Sequence, residues 1–253
     1  YRFICFLGSF FALIMKKLVL FFLIAACYSC NLVKQSILGI DTTPEWLKGK
    51  EIVKEFDKKK IPNENRFVLD TASYRKALIK YYSQELKTVD LSNAKDSVYK
   101  TKLKKIIKDD SQPVQVRYFD SDYNQIFKVV NCYVDDPITM NWNINNCFDV
   151  FPPKIDFEDL NNDHKKLNFF LDHIYTLEGK KSTVETLPKA DYYVIVFWNS
   201  FFKRPSRKLI QTLKEYENKH KDKSTFIMYV NNQNAEIWSK IDLAQKREIL
   251  SQF

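Results

Sequence analysis

Cysteine and histidine are the side chains best able to form covalent or metal bonds, and this chain of 253 residues has five of the first and three of the second. Cys132 and Cys147 lie well inside the chain, in "NCYVDDPITMNWNINNC". A redox-active dithiol needs closely spaced thiols at a helix N-terminus, where one pKa is lowered. These two are 15 positions apart with no helix signal between them. In an oxidising compartment such a pair reads first as a structural disulfide; two free buried thiols and a redox-active pair are the alternatives. His164, His173 and His220 have no ligand spacing such as HxxxH and no cysteine beside them, so neither a metal site nor a cofactor is implied. Only four glycines are present (Gly8, Gly39, Gly49, Gly179), too scattered for a phosphate-cradling loop.

The remaining cysteines belong to an address rather than a site. From Met15 the chain reads "MKKLVLFFLIAAC": two lysines, an apolar run too short to span a bilayer, then small residues. With Ile-Ala-Ala before it, Cys27 resembles the lipidated first residue of a mature bacterial lipoprotein. Cys30, preceded by Tyr-Ser, is the second candidate, and a plain secretory signal is the other reading. Residues 1–14 precede the only plausible initiator and read as upstream reading frame. In lipoproteins of Bacteroidetes-type bacteria, surface display goes with acidic residues just after the lipid cysteine. "YSCNLVKQS" has none, so the expected location is a membrane-anchored, periplasm-facing place in the cell envelope.

The formal net charge is +9, partly concentrated in "KDSVYKTKLKKIIK" at 95–108. Tyr99, Leu103, Ile106 and Ile107 fall at helical spacing with the lysines largely elsewhere, the pattern of a solvated helix whose lysine stems cover apolar surface. Contact with anionic lipid is the second reading of that helix. Nucleic acid is not an expected partner, since no reading motif is present.

The elements that must position any site follow from periodicity. Residues 31–69, polar and broken by Pro44 and Pro62, read as a tether. "DTASYRKALIKYYSQEL" predicts a helix capped by Asp70 or Thr71, with Tyr74, Leu78, Tyr81 and Tyr82 on one stripe. "PVQVRYFDSDYNQIFKVVNCYV" predicts a hairpin turning at Asp-Ser-Asp-Tyr-Asn, and 135–160 reads as irregular. Val194 to Trp198 is a continuous apolar run, as a strand covered on both faces requires. A helix over 206–220, a strand at 224–230 and a last amphipathic helix through Ile237, Trp238 and Ile241 complete the pattern. Strand, helix, strand implies a parallel crossover.

At "TLEGKKSTVETLPKADYYVIVFWNSFFKRPSRKLI" the chain resembles TlpA/ResA-like thioredoxin-fold proteins, over roughly residues 165–235: a Leu-x-Gly-Lys hairpin, a strand ending Phe-Trp, then the place of a Cys-x-x-Cys-Arg-Lys motif. The resemblance implies a redox centre at Trp198, Phe201, Phe202, Lys203, Arg204, Pro205 and Ser206. Pro205-Ser206-Arg207-Lys208 aligns with Pro-Cys-Arg-Lys, which puts Lys203 at the attacking cysteine and Ser206 at the resolving one, whereas alignment from Trp198 puts Phe202 at the attacking position. No register supplies sulfur, so thiol–disulfide exchange there is excluded. A serine nucleophile needs a neighbouring base, and none is close in sequence. Lys203 reads as solvated and Ser206 as a helix cap. The implied fold class is α/β: a thioredoxin-like βαβ sheet at 161–253, ending before its later strands and leaving a sheet edge unpaired, preceded by a smaller helix-plus-hairpin α+β region at 70–160. The implied role is that of a redox-inactive module in a lipid-anchored envelope protein (signal 15–30). Its surface from Trp198 to Arg207 would meet an unknown protein or envelope partner. The alternative function is a thiol–disulfide redox protein using Cys132 and Cys147.

Overall fold

The computed structural model describes residues 39–41, 43, 45–87, 101, 105–134, 140–155 and 165–234. The lipoprotein-type signal with Cys27 and Cys30, His164, most of the lysine-rich stretch at 95–108 and the helix predicted after 234 lie outside them. Among the described residues no helix is long and apolar enough to cross a membrane.

The chain is α/β, built on one mixed six-stranded sheet. In chain order its principal elements are α1 (Gly49–Lys58), β1 (Arg66–Leu69), α2 (Thr71–Lys87), β2 (Gln115–Phe119), β3 (Gln125–Val130), α3 (Leu167–Leu171), β4 (Ile174–Thr176), β5 (Tyr192–Trp198), α4 (Lys203–Lys219) and β6 (Thr225–Asn231). The strand order is β3-β2-β5-β6-β1-β4. β5 and β6 run parallel from Tyr192↔Thr225 to Trp198↔Asn231, with α4 as the crossover between them. β1 runs parallel to β6 on its far side. The hairpin β2–β3 packs antiparallel along the other edge of β5, pairing Gln115↔Phe197 to Phe119↔Tyr193.

This pairing corrects two expectations. β5 is flanked on both sides, because the hairpin from earlier in the chain supplies its second neighbour. The sheet also takes strands from both sides of residue 160, so that boundary does not separate two sheets. Residues 31–69 are more than a tether: α1 and β1 lie within them, and Phe67 and Leu69 are buried in the sheet. β1 is a four-residue strand whose register is supplied by β6 and β4, and a segment that short has little periodicity to read.

Side-chain alternation along β5 explains its unbroken apolar run. Val194, Val196 and Trp198 face one cluster, formed with Ile52 and Phe56 of α1 and Leu209, Ile210, Leu213 and Tyr216 of α4. Tyr193, Ile195 and Phe197 face the other, with Tyr74 of α2 and Leu167, Phe170 and Leu171 of α3. Two helical layers thus sandwich the sheet, and each fully buried side chain of this size contributes on the order of 1.5–3 kcal/mol relative to exposure. The predicted start of α2 is also seen: Asp70 Oδ1 accepts the Ser73 amide at 3.1 Å. The hairpin turns where expected, with Asp120 Oδ1 accepting the amides of Asp122 (3.0 Å) and Asn124 (2.8 Å).

Candidate functional site

The loop joining β5 to α4 holds the residues singled out in the sequence, and it is largely closed. Trp198 is fully buried; the Phe56 ring meets it edge-on at 4.9 Å and the Lys59 ammonium sits 4.4 Å from its centroid. Phe201, Pro205 and Ser206 are buried, while Phe202 and Arg204 are half-buried and Lys203 and Arg207 exposed. Of the aromatic side of the expected contact surface Trp198 and Phe201 are core and Phe202 keeps partial exposure, while the most exposed residues are the cations Lys203 and Arg207. Ser206 is not a helix cap: it lies inside the first turn of α4, where its Oγ accepts the Asn199 amide at 3.2 Å. Lys203 is 3.7 Å from the Asp41 carboxylate. Lys203 is thus held as an ion pair, and among the described residues the Ser206 hydroxyl has no histidine or carboxylate partner to act as its base.

What closes the loop is a network of side-chain amides at the carboxyl ends of β5 and β6. Asn199 Oδ1 accepts the Phe202 amide at 2.8 Å, and its Nδ2 donates to the Pro113 carbonyl (3.2 Å) and to Asn232 Oδ1 (3.1 Å). Asn232 Nδ2 donates to the same carbonyl at 2.8 Å. Gln233 Oε1 accepts the Ser200 amide at 3.0 Å and the Ser200 hydroxyl. From outside the sheet, Trp142 Nε1 donates to the Pro205 carbonyl at 3.2 Å, fastening the irregular 140–155 segment to α4.

A strap from the N-terminal side lies across this network. Asp41 N–H donates to the Phe201 carbonyl at 2.7 Å, Lys203 N–H to the Gly39 carbonyl at 2.9 Å, and Ile40 bridges Phe202. Gln233 Nε2 donates to the Glu45 carbonyl (2.9 Å), and Asn234 exchanges two bonds with the Leu47 backbone. Gly39 has φ of +60°, and a Cβ built there would stand 2.9 Å from the Arg204 Cβ. Only glycine fits both the turn and that approach.

Between the strap, the end of α1 and the flank of α4 runs a groove of about 920 Å³. Leu47, Phe201 and Ile210 give it apolar patches; Lys60, Arg207 and Lys214 are among its cations and Asp41, Glu45 and Glu55 among its acids. Lys214 reaches across it, donating to the carbonyls of Lys59 and Lys60 at 3.0 Å each. Desolvation by burial holds the Lys214 ammonium below the usual lysine range. A groove of mixed charge with an apolar floor suits an extended peptide or a polar small molecule by size.

Cys132 and Cys147 do not form the expected disulfide. Cys132 is exposed with its thiol 3.7 Å from Asp109 Oδ1, whereas Cys147 is buried and donates to the Trp142 carbonyl at 3.6 Å. Cys147 packs into the core cluster beneath α4, so burial separates the two thiols that their loop spacing would allow to meet. Burial pushes the Cys147 thiol up to about 12, and burial followed by the Asp109 charge raises that of Cys132. His173 is buried, shares a 2.7 Å hydrogen bond with Ser73 Oγ, and is held below the usual histidine range by desolvation. His220 packs on Tyr216 and Phe151. Among the described residues no cluster of histidine, cysteine and acidic side chains is arranged to hold a metal ion.

Sequence reasoning missed Pro113, Asn199, Asn232, Gln233 and Gly39. Two signals were present: polar "NNQN" at 231–234 directly after a buried strand, and asparagine directly after the Phe-Trp of β5. Carboxyl ends of parallel strands are where α/β sheets gather polar groups. No family model matches the chain, and it has no match among curated proteins or solved structures.

Proposed function

We propose that the chain is a redox-inactive binding module of the bacterial cell envelope, carried on a thioredoxin-like sheet and anchored through lipid on Cys27. The scaffold reading is supported by the parallel β5–α4–β6 unit, the turn carrying Gly179 at φ +78° after β4, and a hairpin beside β5 where the resemblance calls for further strands. One observation carries the binding role. The end of β5 that would hold a dithiol is filled by Asn199 and Ser206 and covered by the strap, and the accessible space has moved sideways into the groove along α4.

The redox alternative has less support. Its two thiols are separately hydrogen-bonded and both are pushed towards the unreactive protonated form, opposite to what an attacking cysteine requires.

Site-specific photo-crosslinking tests the reading. Probes at Gln211 and Asn218 line the groove, and a probe at Glu64, outside the groove-lining set, serves as reference. A discrete adduct in envelope preparations from the groove positions alone supports the proposal. Equal adducts from all three positions, or none, overturn it. Mass spectrometry of the Cys27 peptide tests the anchor separately.

A further inference from the structure

The side chains that the first turns of α4 send towards solvent are all basic, and one of them, Lys203, lies 3.7 Å from the Asp41 carboxylate. Of residues 203–210, Pro205, Ser206, Leu209 and Ile210 are buried, and all four that remain are cations: Lys203, Arg204, Arg207 and Lys208. No acid occurs from Asn199 until Glu215. The chain enters the described fold against this stripe, since the Gly39 carbonyl accepts the Lys203 amide and the Gly39 Cα packs beside Arg204.

We infer that this stripe rests on an anionic lipid leaflet and sets the orientation of the whole domain. The inference rests on the anchoring part of the proposed function. Gly39 lies twelve positions after Cys27. Such a segment spans at most about 40 Å when fully extended. It therefore holds the point where the chain joins α4 near the headgroups. Opposite charge acts only within a Debye length, about 8 Å at physiological salt, so what matters is which cations lie nearest the tether. Lys203 and Arg204 meet Gly39 directly, through the Lys203 amide and the approach of Arg204, and Arg207 and Lys208 follow within the next turn of α4. Lys219, at the other end of α4, is about 24 Å from Lys203 along the axis by helical rise, and Lys221 and Lys223 follow in the turn after it. They sit among Glu217 and Asp222 and are too distant to share the contact. Anionic headgroups are the fitting occupant because the stripe offers charge and no apolar side chain to insert; its apolar residues face the core.

The test uses the two ends of one helix as its own control. The full chain is reconstituted in vesicles of pure phosphatidylcholine, or of phosphatidylcholine with about one third phosphatidylglycerol. It is then pulsed with an amine-reactive label and read by peptide mass spectrometry. Labelling of Lys203 and Lys208 is expected to fall several-fold on the anionic vesicles and to recover in high salt, with Lys219, Lys221 and Lys223 unchanged. Replacing Arg207 and Lys208 by glutamine should remove most of the protection at Lys203. Equal labelling on the two vesicle types, or protection at both ends of α4, overturns the inference. The same spectra report the lipid on Cys27. A lipidated chain with no protection sinks the leaflet contact alone, and protection without lipid upholds the contact while removing the anchor.

Discussion

Asn199 Nδ2 donates to the carbonyl of Pro113, 86 residues earlier in the chain, at 3.2 Å. This bond ties the loop after β5 to the entrance of the hairpin that flanks it, and Asn232 ties the end of β6 to the same oxygen. The three strands meeting at this end of the sheet are held by side chains where their ladders stop.

Replacing Asn199 by alanine would leave the Phe202 amide without its acceptor and remove both donors, all in a fully buried place. Buried groups left unsatisfied cost about 1–3 kcal/mol each, so a loss of roughly 3 kcal/mol in urea unfolding is expected. Asn199→Asp should be at least as damaging, because it keeps the acceptor but sets a carboxylate against the Pro113 carbonyl and Asn232 Oδ1. A loss below about 1 kcal/mol for both variants would show that the loop is held by packing alone.

How much of this was legible follows from how far apart the partners lie. β5, β6, α4 and the start of α2 each announce themselves within a short window: an apolar run, a helical stripe, an aspartate three residues before a serine whose amide it accepts. The hairpin was equally plain as a local object. Its place beside β5 was not, because nothing in "PVQVRYF" states which strand it will pair. The same limit hid the site. Asn199 and Asn232 look like ordinary loop residues until the sheet brings Pro113 between them. The pairing of Cys132 with Cys147 is what an even pair of thiols in an oxidising compartment suggests, and the packing of Cys147 under α4 with Cys132 exposed keeps the two apart.

A second prediction concerns the edge hairpin, where charges are buried in number. Asp110, fully buried, accepts Arg117 of β2 and lies 2.6 Å from the Lys165 ammonium and 3.6 Å from that of Lys128 on β3. Arg117 also stacks 4.7 Å from the Phe170 centroid of α3. Asp110→Asn removes the carboxylate that three buried cations share. Breaking a buried ion pair from one side costs about 3–5 kcal/mol, so the variant is expected to fold poorly or to unfold at much lower denaturant. Asp109→Asn, which among the described residues disturbs the Tyr133 hydroxyl and the Cys132 thiol, should cost about 1–2 kcal/mol. Similar midpoints for the two variants would mean that Asp110 is not the organising charge.

The strap gives a third. Gly39→Val forces a β-branched residue into a left-handed turn and against the Arg204 Cβ, at a local cost of about 1–3 kcal/mol. The bonds lost are few and peripheral, so the global unfolding midpoint should barely move. Hydrogen exchange should instead accelerate at the Asp41 and Lys203 amides, whose acceptors are the Phe201 and Gly39 carbonyls. Unchanged exchange at both amides would show that the strap is held by its later contacts through Glu45 and Leu47.

The cysteines supply a prediction in pH. Burial raises the Cys147 thiol from an ordinary 9.0 to about 12 on folding. The unfolded chain therefore releases this proton first. Below about pH 9 the thiol is protonated in both states and adds nothing to the pH dependence. Above pH 9 the unfolded state ionises while the folded state does not, so stability falls with rising pH until the folded thiol also ionises near 12. Other groups titrate in this range, and the difference between the native chain and Cys147→Ala isolates the one of interest. The gap between their unfolding free energies should be constant from pH 6 to about pH 8.5 and then narrow as pH rises. Alkylation follows the same order: at pH 8 the exposed Cys132 should react slowly, and Cys147 only when denaturant opens the core. If Cys147 reacts in the folded chain as fast as Cys132, the thiol is not enclosed beneath α4 and the redox reading of this pair regains its standing.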